Sequence, residues 1–145
     1  MATLTVTISE ELTINGKDRG NSVSVDINSV SNVIDRVVNV TTAEIPILQF
    51  GTDNGAGQMT DGELQYLRIT NTASSGTCDL RITDVANSKE YLVRIGGGQS
   101  YISFLDSLDV NTGADVAGAI ALSQIDTIQA KASTAIDLEI VAVAT

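Results

Sequence analysis

Leu4, Val6 and Ile8 alternate with Thr3, Thr5 and Thr7, and the same two-residue period returns at Val23, Val25 and Ile27, at Leu80 and Ile82, at Tyr91, Val93 and Ile95, and at Ile136, Leu138 and Ile140. Successive side chains of a strand point to opposite faces, so this period makes strands with one apolar side and cannot be laid along one stripe of a helix. Turn chemistry separates the runs: Asn15-Gly16, the Ser/Gly-rich stretch 72–77, Ala86-Asn87-Ser88, and Gly96-Gly97-Gly98. About ten or eleven short strands, with turn signals every eight to twelve residues, predict an all-β chain folded as an antiparallel β-sandwich or jelly roll. No 20–50-residue repeat is present, which disfavours solenoids and propellers.

Some segments are less regular. The apolar residues at 33, 34, 37, 38 and 40 fit two turns of helix as well as a strand, and their β-branched character favours the strand. Pro46 is the chain's single proline and cannot donate to a ladder, so its strand lies on an edge or begins there. Residues 52–62 form the longest run of turn chemistry and predict an exposed loop. Residues 64–105 read as four strands in meander order, 106–118 as a second loop-rich stretch, and 119–122, 125–130 and 135–143 as three closing strands. Residues 1–28 stand apart from a sandwich domain over 29–145. They are either strands added to the sandwich or an N-terminal β arm able to pair with a neighbouring subunit's edge.

Composition removes whole classes of function. The chain has no histidine, no tryptophan and one cysteine, so the usual nucleophile, acid–base and zinc constellations cannot be assembled. The expectation is a protein that is not an enzyme, with no catalytic, cofactor or metal residues. Eight Lys and Arg against eighteen Asp and Glu give a net charge of −10, which repels phosphate backbones and anionic lipid, so neither nucleic acid nor membrane is an expected partner. A chain of 145 residues builds a core without staples, and lone Cys78 is expected to pack as a small apolar residue. The N-terminal residues carry no basic and apolar leader pattern, and no apolar run approaches eighteen residues, so synthesis in a cytoplasm is expected.

Each candidate site has a plainer reading beside it. Asp53, Asn54 and Asp61, or Asp106, Asp109 and Asp115, offer oxygens for calcium, but neither group has the spacing of a calcium loop, and turn aspartates explain both. Glycines 55, 57 and 62, and 96 to 98, lack the lysine of a phosphate loop and read as turns. Glu10 and Glu11 are adjacent on a strand and cannot flank one glycosidic bond. Phe50, Tyr66, Tyr91, Tyr101 and Phe104 are expected to fill the core and not to form a sugar platform. Arg68, Arg81 and Arg94 lie on consecutive predicted strands. They pair across strands with Asp79, Asp84 or Glu90, or else form one row that recognises an acidic neighbour.

Four segments resemble a known class: 37–48 (VVNVTTAEIPIL), 64–71 (LQYLRITN), 97–102 (GGQSYI) and 125–132 (IDTIQAKA). Together they resemble the small β-rich virion structural proteins of tailed phages, marine and cyanobacterial ones in particular, across about residues 30–145. The resemblance implies a non-enzymatic protein made in the host cytoplasm and built into the virion. Its first implied role is a capsid decoration or cement protein, a homotrimer bound to the major capsid protein. A tail, collar or fibre-attachment component, reading a host surface through 52–62, is the alternative. A lectin-like binding module is the third reading.

Overall fold

The computed structural model describes residues 2–52, 55–104, 107–109, 119–121 and 124–145. Its core is two facing sheets. The first holds β5 (Asn32–Val40), β8 (Leu64–Asn71), β11 (Ser100–Ser103) and β15 (Ile136–Ala144), in the order β11-β8-β15-β5. The second holds β6 (Ile45–Gly51), β7 (Gln58–Thr60), β9 (Thr77–Asp84), β10 (Lys89–Gly96) and β14 (Thr127–Ala132), in the order β10-β9-β14-β6-β7. Apart from short β7, the pairings nest: β9 with β10, β8 with β11, β6 with β14, and β5 with β15. A long hairpin of four nested strand pairs has wrapped round itself, closed by the β15–β8 and β14–β9 contacts. That is the jelly-roll arrangement.

The two-residue period decides which side of each strand goes in. Leu80 and Ile82, Ile128 and Ala130, Leu67 and Ile69, and Leu138, Ile140 and Ala142 are fully buried between the sheets. Asp137 is exposed and Glu139 half-exposed on the opposite side of β15. Segment 33–40 is a strand: β5 pairs along its whole length with β15, and Ile34 and Val40 enter the core. Pro46 falls one residue into β6, where no strand among the described residues lies beyond it, because β7 pairs only with Gln49, Phe50 and Gly51. The ladder shifts register there, Gln129 facing Pro46 and Ile128 facing Leu48, so consecutive Ile47 and Leu48 are both buried.

Two expectations need correction. Residues 64–105 are not a meander: β8 and β9 belong to different sheets, as do β10 and β11, and β11 returns to pair with β8. The turn at 71–77 is a corner between layers and not a hairpin loop. Asn71 is buried there and satisfied, its amide donating to Gly76 O (3.2 Å), its side-chain oxygen accepting from Ala73 N (3.2 Å), and its own backbone N donating to Gln99 O (3.0 Å). Nor is 52–62 simply an exposed loop. β7 pairs in parallel with β6, Met59 is fully buried, Gln49 N donates to Gly57 O (2.9 Å) and Asp61 N to Gly51 O (2.8 Å). Gly57 (φ +82°) lies against the guanidinium of Arg36, which reaches from β5 to donate to the Ile47 carbonyl.

The first thirty residues add no strand to either sheet. β1 (Ala2–Glu10) pairs with β4 (Asn21–Val30), and β2 (Thr13–Ile14) with β3 (Lys17–Asp18) at the tip, making one two-stranded ribbon. Ser29 (φ +61°) bends the chain where the ribbon meets the body, and Ser31 N donates to Ala144 O (3.0 Å). A further small ribbon joins β12 (Ser107–Asp109) to β13 (Ala119–Ala121). The rest of the expected 106–118 loop lies outside the described residues.

Candidate interaction surface

Strand alternation places Asp79, Arg81 and Thr83 of β9, Glu90, Leu92 and Arg94 of β10, and Gln129 and Lys131 of β14 on the outer face of the five-stranded sheet. The register aligns Arg94, Asp79 and Lys131 in one row and Leu92, Arg81 and Gln129 in the next. Arg94 grips Asp79 with two parallel bonds, Nε to Oδ1 at 2.6 Å and Nη2 to Oδ2 at 2.8 Å. Arg81 lies between two carboxylates, its Nε 2.9 Å from Glu44 and its Nη1 donating to Glu90 at 3.0 Å. Glu44, Asp79, Arg81, Arg94 and Lys131, with Leu92 and Val93, wall an open cleft of about 440 Å³. Leu92 is 61% exposed within it.

The charges balance: Glu44, Asp79 and Glu90 against Arg81, Arg94 and Lys131. A chain with net charge −10 thus presents a neutral, ordered face at this point. The bonds from Arg94 hold the Asp79 carboxyl below the usual carboxylate range, and Asp79 in turn raises the Arg94 pKa. A general acid at neutral pH needs the opposite displacement. Exposed ion pairs of this kind contribute little to stability, so their main effect is to fix long side chains around an apolar centre. The result is one exposed aliphatic side chain, Leu92, inside a rim of paired charges.

The three arginines do not form one row. Arg81 and Arg94 share this face, whereas Arg68 is on β8 in the other sheet, ion-paired with Glu139 of β15. The chain changes layers between β8 and β9, which the meander reading did not anticipate. Asp79 and Glu90 are the partners the sequence suggests. Asp84 is instead buried, capping its turn by accepting from Asn87 N (2.9 Å) and Asn87 Nδ2 (2.7 Å).

Among the described residues, no three His, Cys, Asp or Glu side chains are gathered to hold a metal ion. Of the calcium candidates, Asp61 is exposed, Asp109 falls in β12, and Asp53, Asn54, Asp106 and Asp115 lie outside the described residues. Glu10 and Glu11 are both exposed. Gly96, Gly97 and Gly98 form the corner between β10 and β11, where Gly96 N donates to Gln99 Oε1 (2.7 Å). None of the five aromatics is exposed: Tyr66 is buried, Phe50, Tyr91 and Tyr101 pack on the core, and Phe104 is half-buried. A flat sugar platform is absent among them.

The ribbon is the second uncovered surface. Leu4 faces Ile27, Val6 faces Val25, and Ile8 faces Val23, all on one side. The other side is a ladder of hydroxyl contacts, Thr3 with Asn28 (3.2 Å), Thr5 with Asp26 (2.8 Å) and Thr7 with Ser24 (2.9 Å). Ten large hydrophobic residues are exposed among the described residues, and five of them, Ile8, Leu12, Ile14, Val23 and Val25, are on this ribbon. Sequence reasoning placed its strands but not the exposure of its apolar side. Leu92 was legible only as a leucine out of phase with Tyr91, Val93 and Ile95.

No protein-family model, no curated protein and no solved structure matches the chain.

Proposed function

We propose that the chain is a non-enzymatic structural component of a tailed-phage virion, a decoration protein that binds and stabilises the head lattice. The observation that carries this reading is the ribbon. A fifth of the chain is a two-stranded ribbon outside both sheets with five large apolar side chains exposed, and an isolated ribbon of this kind is marginal in water. Such a chain is completed by other protein, as an assembly component is. The neutral cleft around Leu92 supports the reading, because it gives an acidic body one face that can approach a second protein without charge repulsion. A jelly roll serves capsid and lectin domains alike, so the fold does not choose between them. The half-buried and buried aromatics weigh against the lectin-like reading.

In this role each contact is weak and the assembly is strong. A copy that engages several lattice subunits gains from effective concentration, and by binding only the mature lattice it stabilises that lattice by mass action. The test is the number of copies per purified particle, by quantitative mass spectrometry against the major capsid protein. A ratio near one supports decoration of the head. A ratio of a few per cent would move the chain to a tail, collar or fibre position, and its absence from particles would overturn the virion reading.

A further inference from the structure

We infer that the free edge of β5 takes an added strand from a different protein, an extended segment with a basic residue between two aliphatic ones on one face and small polar residues on the other. This deepens the reading of the chain as an assembly component and rests on it for the kind of partner, while naming a contact separate from the ribbon and the cleft.

The alternation of hydrogen bonds across the sheet leaves this edge open. Thr72 N donates to Asp137 O (3.1 Å), so Asp137, Glu139 and Val141 turn their main-chain groups towards β8, and Leu138, Ile140 and Ala142 turn theirs towards β5. Their partners Val38, Arg36 and Ile34 are therefore the hydrogen-bonded residues of β5. Val33, Asp35, Val37 and Asn39 point theirs away from β15, and β5 is the last strand of its sheet. Among the described residues, none of those N–H and C=O groups has a main-chain partner. The sheet's other edge, β11, is four residues long, and β10, the long edge of the facing sheet, carries Lys89, Glu90 and Arg94. Charge along an edge deters pairing. The exposed face of β5 has one charge, Asp35, between Val33 and Val37.

The side chains along the edge define what such a strand must carry. Val33 and Val37 are 54% and 65% exposed, and Asp35 between them has no cation within ion-pair distance among the described residues. A strand laid antiparallel on β5 sets its own residues opposite these three, where aliphatic pairs and opposite charges stabilise and like charges do not. Aliphatic, basic, aliphatic is the matching face. The inner side carries Arg36, whose guanidinium turns in to the Ile47 carbonyl, so an apolar strand is disfavoured there and small polar residues fit. A second copy of this edge does not meet the requirement. Two β5 strands paired antiparallel through their outward groups put Val33, Asp35, Val37 or Asn39 against Asp35, and none of these is a cation. Main-chain bonds give strand addition its strength, and the alternate side chains its specificity.

The probe is a synthetic heptapeptide, acetyl-Thr-Val-Thr-Lys-Thr-Val-Thr-amide, titrated into the isotope-labelled full-length chain and followed by NMR. In the free chain, amide hydrogen exchange should alternate along β5, fast at Val33, Asp35, Val37 and Asn39 and protected at Ile34, Arg36 and Val38. With peptide, the four fast amides should shift and become protected. Glu in place of the peptide's Lys should weaken binding about threefold to tenfold, and Asp35→Lys should reverse that order of preference. Val37→Pro removes an outward donor from an edge position, so the chain should keep its fold and lose at least ~fivefold in peptide affinity. If that variant unfolds, the Asp35→Lys reversal decides alone. No saturable shift at millimolar peptide, a shift confined to another edge, or equal binding of the two peptides overturns the inference. So does protection of the four amides that grows with protein concentration in the absence of peptide, which would make a second copy the occupant. None of those results alters the copy number per particle, which tests the virion reading separately.

Discussion

A methyl group on Gly97 would lie 2.7 Å from Ser75 N and 2.8 Å from Ala73 O, backbone atoms that cannot swing aside. The corner between β10 and β11 is stacked here on the corner between β8 and β9, main chain on main chain. Gly97→Ala should therefore cost about 1–3 kcal/mol in urea denaturation, and Gly51→Ala, with nothing within 4 Å of its Cβ, should shift stability by less than ~0.5 kcal/mol. The glycine triplet was legible as a turn, but its reason was not, because the stretch it touches lies more than twenty residues earlier. Cys78 was better legible. It is fully buried, and burial pushes its thiol up to about 11. From roughly pH 9 upward the unfolded chain gives up the thiol proton while the folded chain retains it, so stability falls as pH rises towards 11. Urea midpoints across that interval should show the fall in the wild type, with a shallower slope in Cys78→Ala. A maleimide added at neutral pH should label Cys78 only at the rate of unfolding.

Elements were legible wherever one face is apolar and the other polar. β4, β9, β10 and β15 follow directly from alternation, and β5 was settled by β-branching against a helical spacing. Element partners were less legible, since nothing local tells Leu67 and Leu80 that they belong to opposite layers. The segment around β7 shows the other way a reading fails. Gly55, Gly57 and Gly62 with the neighbouring polar residues make it look like loop throughout, and three residues inside it, Gln58, Met59 and Thr60, pair with β6 nonetheless. Met59→Ala should consequently lower stability by about 2–4 kcal/mol, as a core truncation does. An exposed loop methionine would give a change of less than ~0.5 kcal/mol, so thermal or chemical denaturation separates the two pictures.

At the scale of the molecule, the body's outer surface is not uniformly acidic. Its five-stranded face is neutral, ion-paired and centred on a leucine that contributes nothing to the core. Leu92→Asp should leave the unfolding free energy within about 0.5 kcal/mol of wild type and, on the proposed decoration role, should sharply lower occupancy of particles in a binding assay. Retained occupancy would exclude this face from the lattice contact. Composition announced the lack of histidine and the excess of carboxylates at once. It did not announce where the neutral patch would be, because that depends on β14 and Glu44, both far in sequence, coming beside the β9–β10 pair.

The nested pairing also sets an order in time. β1 and β4 join residues 11 to 28 positions apart, whereas β5 waits for β15, whose residues lie 96 to 112 positions later. Closure over so long a separation is slow, and on a ribosome it must await the emergence of β15. The ribbon is complete long before the barrel-like body exists to accompany it. The exposed apolar side chains of the ribbon are thus the first part of the chain to be presented, before the core that the rest of it forms.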